Sequence, residues 1–375
     1  MDKIQMVDLK GQYKKIKSEI ETSIGNVLED GSFIQGSHVR NFESELASFN
    51  KVKYCISCGN GTDALQIALM ALNLQAGDEV IIPSFTYIAP VEAAALLGLK
   101  IVLTDVNPYT YNIDPEKIKE SITTRTKVIL PVHLFGQCSD MEAILQLAAN
   151  KKIYVVEDGA QSIGSVFNFQ SGGKSFSGTM GQIGITSFFP SKNLGCYGDG
   201  GALFTNDDLL AKKIRAICNH GQEKKYYHEI IGVNSRLDSI QAAILSVKLR
   251  FLNQYILRRQ EAASFYDNEF RNNPWFDIPV KNSSSTHVYH QYTITIKSGS
   301  RDELKKYLES KGIPSMIYYP VPVHLQKAYA YLGYKKGAFP VSEKLSEQVL
   351  SLPMHTELTN EQLEYITKTT LSFFK

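Results

Sequence analysis

Lys192 stands in the stretch Thr186-Ser187-Phe188-Phe189-Pro190-Ser191-Lys192-Asn193-Leu194-Gly195, with no other charged residue within five positions on either side. A lysine kept in apolar surroundings loses part of the stabilisation of its ammonium. Its pKa falls, and its amine becomes a nucleophile toward carbonyl carbon. Beside the glycine-rich turn Gly195-Cys196-Tyr197-Gly198-Asp199-Gly200-Gly201, the same residue also suits an ordinary surface loop. A second stretch narrows the choice. Tyr54 to Ser57 reads as a short strand and runs through Gly59-Asn60-Gly61-Thr62-Asp63-Ala64 into an apolar helix. A glycine turn entering a helix presents unsatisfied N–H groups and the positive end of the helix dipole, which together favour a phosphate. Gly59-x-Gly61-x-x-Ala64 loosely fits the dinucleotide fingerprint. That fingerprint needs an acid closing the next strand, and here Asp78-Glu79 precede Val80-Ile81-Ile82. A phosphate without a dinucleotide is preferred, with a plain strand-to-helix turn as its alternative. The third stretch, Ile153-Tyr154-Val155-Val156-Glu157-Asp158-Gly159-Ala160-Gln161, puts Asp158 at the end of a buried strand. A carboxylate there needs a cation or donors, unless it merely caps the next helix.

Lysine nucleophile, acid and phosphate cradle are together what pyridoxal 5'-phosphate requires. The lysine binds the aldehyde, the acid keeps the ring nitrogen protonated, and backbone donors hold the phosphate. Lys192, Asp158 and Gly61-Thr62 are the candidates. Phe85 and Tyr87, following Pro83-Ser84 at a strand end, can cover a ring face.

These residues need a scaffold that brings strand ends together. Apolar runs at Val80–Ile82, Ile101–Thr104, Val128–Val132, Ile153–Val156, Ile185–Phe189 and Ala202–Thr205 alternate with helical patterns. Strands of that character are buried on both faces, and the alternation implies a largely parallel sheet with ligands beyond its carboxyl ends. Upstream, residues 8 to 30 and 36 to 49 have helical periodicity. Ser171 to Gly178 reads as a mobile surface loop, and Asn219 to His228 has no periodicity. Arg236 to about Phe270 reads as one long helix leading into a smaller domain. Tyr289 to Ile296 alternates like a strand, and Ser300-Arg301-Asp302-Glu303 and Thr359-Asn360-Glu361-Gln362 open further helices.

The 375 residues suffice for two domains, placed here at 1–245 and 246–375. A net charge of +2 with no long basic run gives no face for nucleic acid. No apolar run is long enough to cross a bilayer, and Met1 to Gln5 lack a leader's apolar core, so a cytoplasmic location is expected. Five cysteines suit reduced thiols. Cys55 and Cys58 form a C-x-x-C pair without a second pair to complete a zinc site, and lie in a strand-like run. His287 and His290 have i, i+3 spacing but border a strand and lack partner carboxylates, so no metal is expected.

The motifs Gly59-Asn60-Gly61-Thr62-Asp63-Ala64-Leu65, Pro83-Ser84-Phe85-Thr86-Tyr87, Glu157-Asp158-Gly159-Ala160-Gln161, Ser187-Phe188-Phe189-Pro190-Ser191-Lys192, Gly198-Asp199-Gly200-Gly201 and Asn234-Ser235-Arg236-Leu237-Asp238 span nearly the whole chain. By them the sequence resembles the DegT/DnrJ/EryC1/StrS sugar aminotransferases. The resemblance implies the α/β PLP-dependent transferase fold type I, with a large domain around a mostly parallel seven-stranded sheet and a smaller C-terminal α/β domain. It implies that Lys192 carries pyridoxal phosphate and shuttles protons, that Asp158 pairs with the pyridine nitrogen, and that Gln161 lies by the ring hydroxyl. Gly61, Thr62 and Ser187 would hold the phosphate, and Tyr87, or else Phe85, would stack on the ring. Asn234 would reach the phosphate of a neighbouring subunit in a homodimer. Arg236, Tyr318, Tyr319 and His324 are implied for substrate. L-glutamate would donate the amine to a nucleotide keto-sugar, nearest to UDP-2-acetamido-2-deoxy-3-keto-hexuluronate. Tyr318 stands where family members often have histidine, which leaves dTDP-3-keto-6-deoxyhexose and 4-keto sugars open. A dehydratase relative replaces the lysine that this chain keeps. A cofactor-binding regulator without turnover is the reading from a different class.

Overall fold

The computed structural model describes residues 3–297 and 300–375; Met1 and Asp2, part of the stretch read for a leader, lie outside them. Its centre is a seven-stranded sheet built from β1 (Tyr54–Cys58), β2 (Glu79–Pro83), β3 (Lys100–Thr104), β4 (Thr126–Ile129), β5 (Tyr154–Asp158), β6 (Ile183–Ser187) and β7 (Gly201–Thr205), in the order β1-β7-β6-β5-β4-β2-β3. From β6 through β3 all pairings are parallel. Only β7 runs against its neighbours β1 and β6. The register explains the site. Gly201 faces both Cys58 and Ser187, and Asp158 faces Ile185. The carboxyl ends of β1, β5 and β6 therefore share one edge of the sheet, each followed by one of the three candidate stretches.

Both faces of the sheet are covered, as the apolar strands require. One core joins the helix Gly61–Ala71 to Val80, Ile82, Val156 and Ile185; another lies beneath Phe42, Phe188 and Phe204. A separate core collects the helix Leu252–Phe270, the helices Arg301–Ser310 and Asn360–Ser372, and a three-stranded sheet of β8 (Phe276–Asp277), β9 (Tyr292–Ile296) and β10 (Val349–Leu352). Thr359 and Gln362 form the expected reciprocal cap on the last helix.

Two expectations need correction. The long helix is two, Ser239–Leu249 and Leu252–Phe270, because the chain changes partners between them. Ile244 and Val247 pack on Ile16 and Ile20, whereas Ala262, Ala263 and Tyr266 belong to the C-terminal core. A boundary at residue 245 thus cuts the first of these helices. Nor is Ser171–Gly178 a free loop: Lys174–Phe176 pairs with Val166–Asn168 in a ribbon. Its base is clamped by Glu157, fully buried, which accepts from the amides of Gly178, Met180 and Gly181 at 2.6–2.9 Å and from His133 Nε2 at 2.9 Å.

Glu79 is another buried carboxylate of the sheet, 1 % exposed, bonded to Thr123 and paired with Lys100 and Arg125 at 3.0 Å. Burial pushes its pKa up, but the Thr123, Lys100 and Arg125 bonds outweigh it and bring it down to about 2. Stability from a depressed carboxylate is present above its ordinary pKa of 4.5 and fades as pH falls toward 2. Glu79→Gln is expected to destabilise the protein by about 2 kcal/mol at neutral pH, with urea midpoints of wild type and variant converging in acid.

Candidate active site

A cavity of about 620 Å³ opens at the shared strand edge and is lined by Gly61, Thr62, Asp158, Gln161, Ser187 and Lys192, with Tyr87, Tyr318 and Tyr319 at its walls. The turn after β1 closes tightly. Asn60 caps the helix by accepting from Asp63 N at 2.8 Å, and Ala64 N bonds to Asn60 O. The amides of Gly61 and Thr62 are left without an acceptor among the described residues. Two glycines allow this approach. A Cβ on Gly61 would lie 2.8 Å from Ser187 Cβ, and one on Gly201 would lie 2.5 Å from Asn60 O. Gly61→Ala is therefore expected to wedge the helix start away from Ser187. Overpacking of this kind costs ~1–3 kcal/mol, so cofactor affinity should fall about tenfold or more in a fluorescence titration of cofactor-free protein.

Asp158 and Lys192 face each other electrostatically. Burial pushes the Asp158 carboxyl above its ordinary value, while the Ala160 amide at 3.0 Å, Lys192 and His133 hold it back. Burial lowers the Lys192 ammonium to about 8, with Asp158 opposing. Lys192 Nζ makes no hydrogen bond or ion pair among the described residues. Gln161 accepts from Phe135 N at 2.8 Å and donates to Tyr319 OH at 3.0 Å, tying the strand edge to the Tyr318-Tyr319 segment.

Four expected residues lie elsewhere. Phe85 is 1 % exposed and packs beneath the cavity, its ring 6.5 Å from Tyr111 and 6.1 Å from Tyr319; Tyr87, 57 % exposed, lines the cavity. His324 is buried outside it, bonded to Glu343 at 2.9 Å. Asn234 is exposed, bridges to Asn219 and reaches no part of the cavity of its own chain. Arg236 bonds Asn219 Oδ1 at 3.3 Å and lines a second cavity of about 390 Å³ with Arg40 and Arg215. The C-x-x-C cysteines are buried thiols whose pKa burial raises well above the usual range.

Ser235, within the motif Asn234-Ser235-Arg236-Leu237-Asp238, has a role that its sequence position does not reveal. Its Oγ donates to Asp63 Oδ2 at 2.6 Å and accepts from Gly59 N at 2.9 Å, fixing the turn that carries the free amides. Thr86, Phe135, Asp199, His290 and Gln291 also line the cavity. Thr86 and Asp199 sit in the motifs Pro83–Tyr87 and Gly198–Gly201, and His290 stood out in the sequence only as a possible metal ligand. No local pattern marks Phe135 or Gln291.

A lysine amine poised near neutrality, a buried aspartate and two free amides at a helix N-terminus around one cavity fit pyridoxal phosphate: amine for its aldehyde, acid for its ring nitrogen, amides for its phosphate. Fold and site together define a PLP-dependent aminotransferase of fold type I. Residues 14–370 match the model of the DegT/DnrJ/EryC1/StrS aminotransferase family, and the chain belongs to that family. It is 46% identical, over 97% of its length and 98% of the relative's, to the UDP-2-acetamido-2-deoxy-3-oxo-D-glucuronate aminotransferase of Pseudomonas aeruginosa. It is 44% identical, over 99% of both chains, to a pleiotropic regulatory protein of Geobacillus stearothermophilus. The crystal structure of S. venezuelae DesV in complex with ketimine intermediate superposes with a TM-score of 0.95 at 36% identity, covering 100% of this chain and 99% of that one.

Proposed function

We propose that the enzyme transfers the amino group of L-glutamate to the 3-keto group of a UDP-2-acetamido-2-deoxy-hexuluronic acid. The convergence of Lys192, Asp158 and the Gly61–Thr62 amides in one cavity carries the transaminase chemistry. The 46% identity to the Pseudomonas aeruginosa enzyme supports this sugar. Bound pyridoxal phosphate supplies a carbonyl carbon that takes up the amine and a ring that spreads the electrons left behind. Lys192 Nζ, its pKa lowered by burial to about 8, would be the amine that holds that carbon and the group that moves protons to and from the substrate carbon. Asp158 keeps the ring nitrogen protonated, Gln161 lies beside the ring hydroxyl, and Tyr87 covers the ring. Gly61, Thr62 and Ser187 bind phosphate. Tyr318 and Tyr319 shape the substrate side.

The active unit in this reading is a cytoplasmic homodimer, with Asn234 reaching the partner's phosphate and Arg236 the partner's substrate. Two observations support it. Asn234 lies outside its own cavity, and beside it the ribbon Gln222–Lys224/Tyr227–His228 exposes Tyr226 at 77 % and Tyr227 at 61 %, with Ile231 at 87 % just beyond. Sedimentation checks the dimer. Among the described residues no helix is long and apolar enough to cross a membrane. Amino-sugar nucleotides of this class feed surface polysaccharide such as lipopolysaccharide, the role proposed here.

The first test is the absorbance of the purified protein before and after L-glutamate. A band near about 410–430 nm that glutamate bleaches toward about 330 nm supports amino transfer. Restoring the band with the UDP-hexuluronate, but not with a dTDP-3-keto-6-deoxyhexose or a 4-keto sugar, supports the substrate. A band that no amino donor bleaches would favour the regulatory reading, which the Geobacillus relative's name keeps in view.

A further inference from the structure

We propose that Lys248 and Gln241, on the helix Ser239–Leu249, are positioning residues that hold the loop carrying Lys192, Phe188 to Gly200, in place by bonding its backbone. Lys248 is 1 % exposed, and its Nζ donates to Gly195 O. The ammonium also lies 5.2 Å from the centre of the Tyr197 ring. No carboxylate pairs with it among the described residues. A buried charge without a counter-ion costs several kcal/mol unless other groups receive it. Both groups that receive this one, Gly195 O and the Tyr197 ring, belong to the loop that carries Lys192. The helix adds its own support, because Lys248 lies in the last turn, where the dipole favours a cation. Gln241 grips the same loop: its Oε1 accepts from Tyr197 N at 2.8 Å. Residues 241 and 248 are two helical turns apart, so the two side chains leave the helix on one face.

The loop's internal bonds set its shape but not its place. Lys192 N bonds to Phe189 O and Cys196 N to Phe188 O, both at 2.8 Å, and Cys196 Sγ donates to Phe188 O and Gly198 O at 3.0 and 3.1 Å. The turn is folded so closely on itself that a Cβ on Gly195 would lie 2.4 Å from Pro190 O. Among the described residues, hydrogen bonds tie residues 190–199 to segments beyond the loop at three points: Tyr197 N to Gln241, Gly195 O to Lys248, and Asn193 Nδ2 to Val288 O. Two of the three end on one helix. That helix is a firm support. Ile244 and Val247 pack on Ile16 and Ile20, while Ala242 and Leu245 share a core with Leu194 and Cys196 of the loop. The charged and titratable groups bearing on Lys192 are Asp158 and His290; those bearing on Lys248 are Cys196, Tyr197 and Arg259. Burial lowers the Lys248 ammonium to about 8, and the neutral amine still donates, so the bond outlasts the charge.

The inference rests on the transaminase reading for the role of Lys192, but the grip can be tested without turnover. In cofactor-free protein, the pH dependence of Lys192 labelling by an amine-reactive anhydride, read by mass spectrometry, gives the lysine's titration. Lys248→Met keeps an apolar chain of similar length and removes the buried charge, a change that folds commonly tolerate. With Gly195 O released, the loop should let Lys192 reach water. Its labelling midpoint should then rise from about 8 toward 10.5, by about one unit or more. Gln241→Leu removes the neutral bond and should raise the midpoint by about half a unit. In loaded enzyme, Lys248→Met should convert glutamate at least about tenfold more slowly, because rate falls steeply when a reacting group is misplaced. The proposal is overturned if either folded variant labels with the wild-type curve, whatever its urea midpoint, since a role in stability alone would move only the latter. If Lys248→Met does not fold, Gln241→Leu decides: a raised midpoint supports the grip and a wild-type curve overturns it. A wild-type band that glutamate never bleaches sinks the transaminase reading instead, while the labelling curves still decide the grip.

Discussion

Lys192→Ala should hold no visible absorbance band and should convert L-glutamate at least about 10⁴-fold more slowly than wild type, at the upper end of what a positioned acid–base group contributes. Alanine removes both the amine that binds the cofactor carbonyl and the base that moves the proton. Lys192→Arg should fail almost as badly. A guanidinium stays charged and cannot attack a carbonyl, so keeping the positive charge does not keep the chemistry. Burial brings the Lys192 ammonium to about 8 against an ordinary 10.5, and the sign of its pH dependence follows. The neutral amine appears as pH rises through that value. The rate at which cofactor-free wild-type protein takes up pyridoxal phosphate should therefore climb to about pH 8 and then level, instead of climbing past pH 10. Stopped-flow absorbance measures this. A band retained in Lys192→Ala, or uptake still rising steeply at pH 10, would place the reactive amine elsewhere.

Lys192, Asp158 and the Gly61–Thr62 turn were legible in the sequence for a shared reason. Each is a local signal, a strand followed by a residue whose type is odd for that place, and a parallel sheet sends such strand ends to one edge. The β1-β7-β6 arrangement was not legible, because the pairing of Gly201 with both Cys58 and Ser187 joins segments far apart in the chain. Distance also hid Ser235, which steadies the turn by bonding Asp63 and Gly59. The clamp of Glu157 on Gly178–Gly181 made a glycine-rich segment that looks loose into a fixed ribbon base. Helical periodicity ran on through Arg250-Phe251 because residues on both sides are apolar at the right spacing. Only the change of packing partner shows the break. His324 entered through the resemblance alone, and the contact that fixes it, a hydrogen bond to Glu343 at 2.9 Å outside the cavity, joins residues 19 apart that no local pattern links.

Asp158→Asn tests the second half of the proposed chemistry and should leave the fold and cofactor binding largely intact. The amide keeps the carboxylate's shape and can still accept from Ala160 N, so the backbone bond that orients the side chain survives. What disappears is the negative charge. Without it the ring nitrogen is not held protonated, and the electrons released at the substrate carbon have no sink. Charge placed where charge develops is worth about 10²–10³ in kcat in a water-excluded site, and a loss of that size is expected in both half-reactions. A second effect follows from the same removal. Asp158 is the group that raises the Lys192 pKa against burial, so its loss should move the levelling of cofactor uptake below about 8. The two readings are independent, one from steady-state kinetics and one from uptake by cofactor-free protein. An Asp158→Asn enzyme within threefold of wild type, with an unmoved uptake profile, would show that this carboxylate serves the strand end and not the ring.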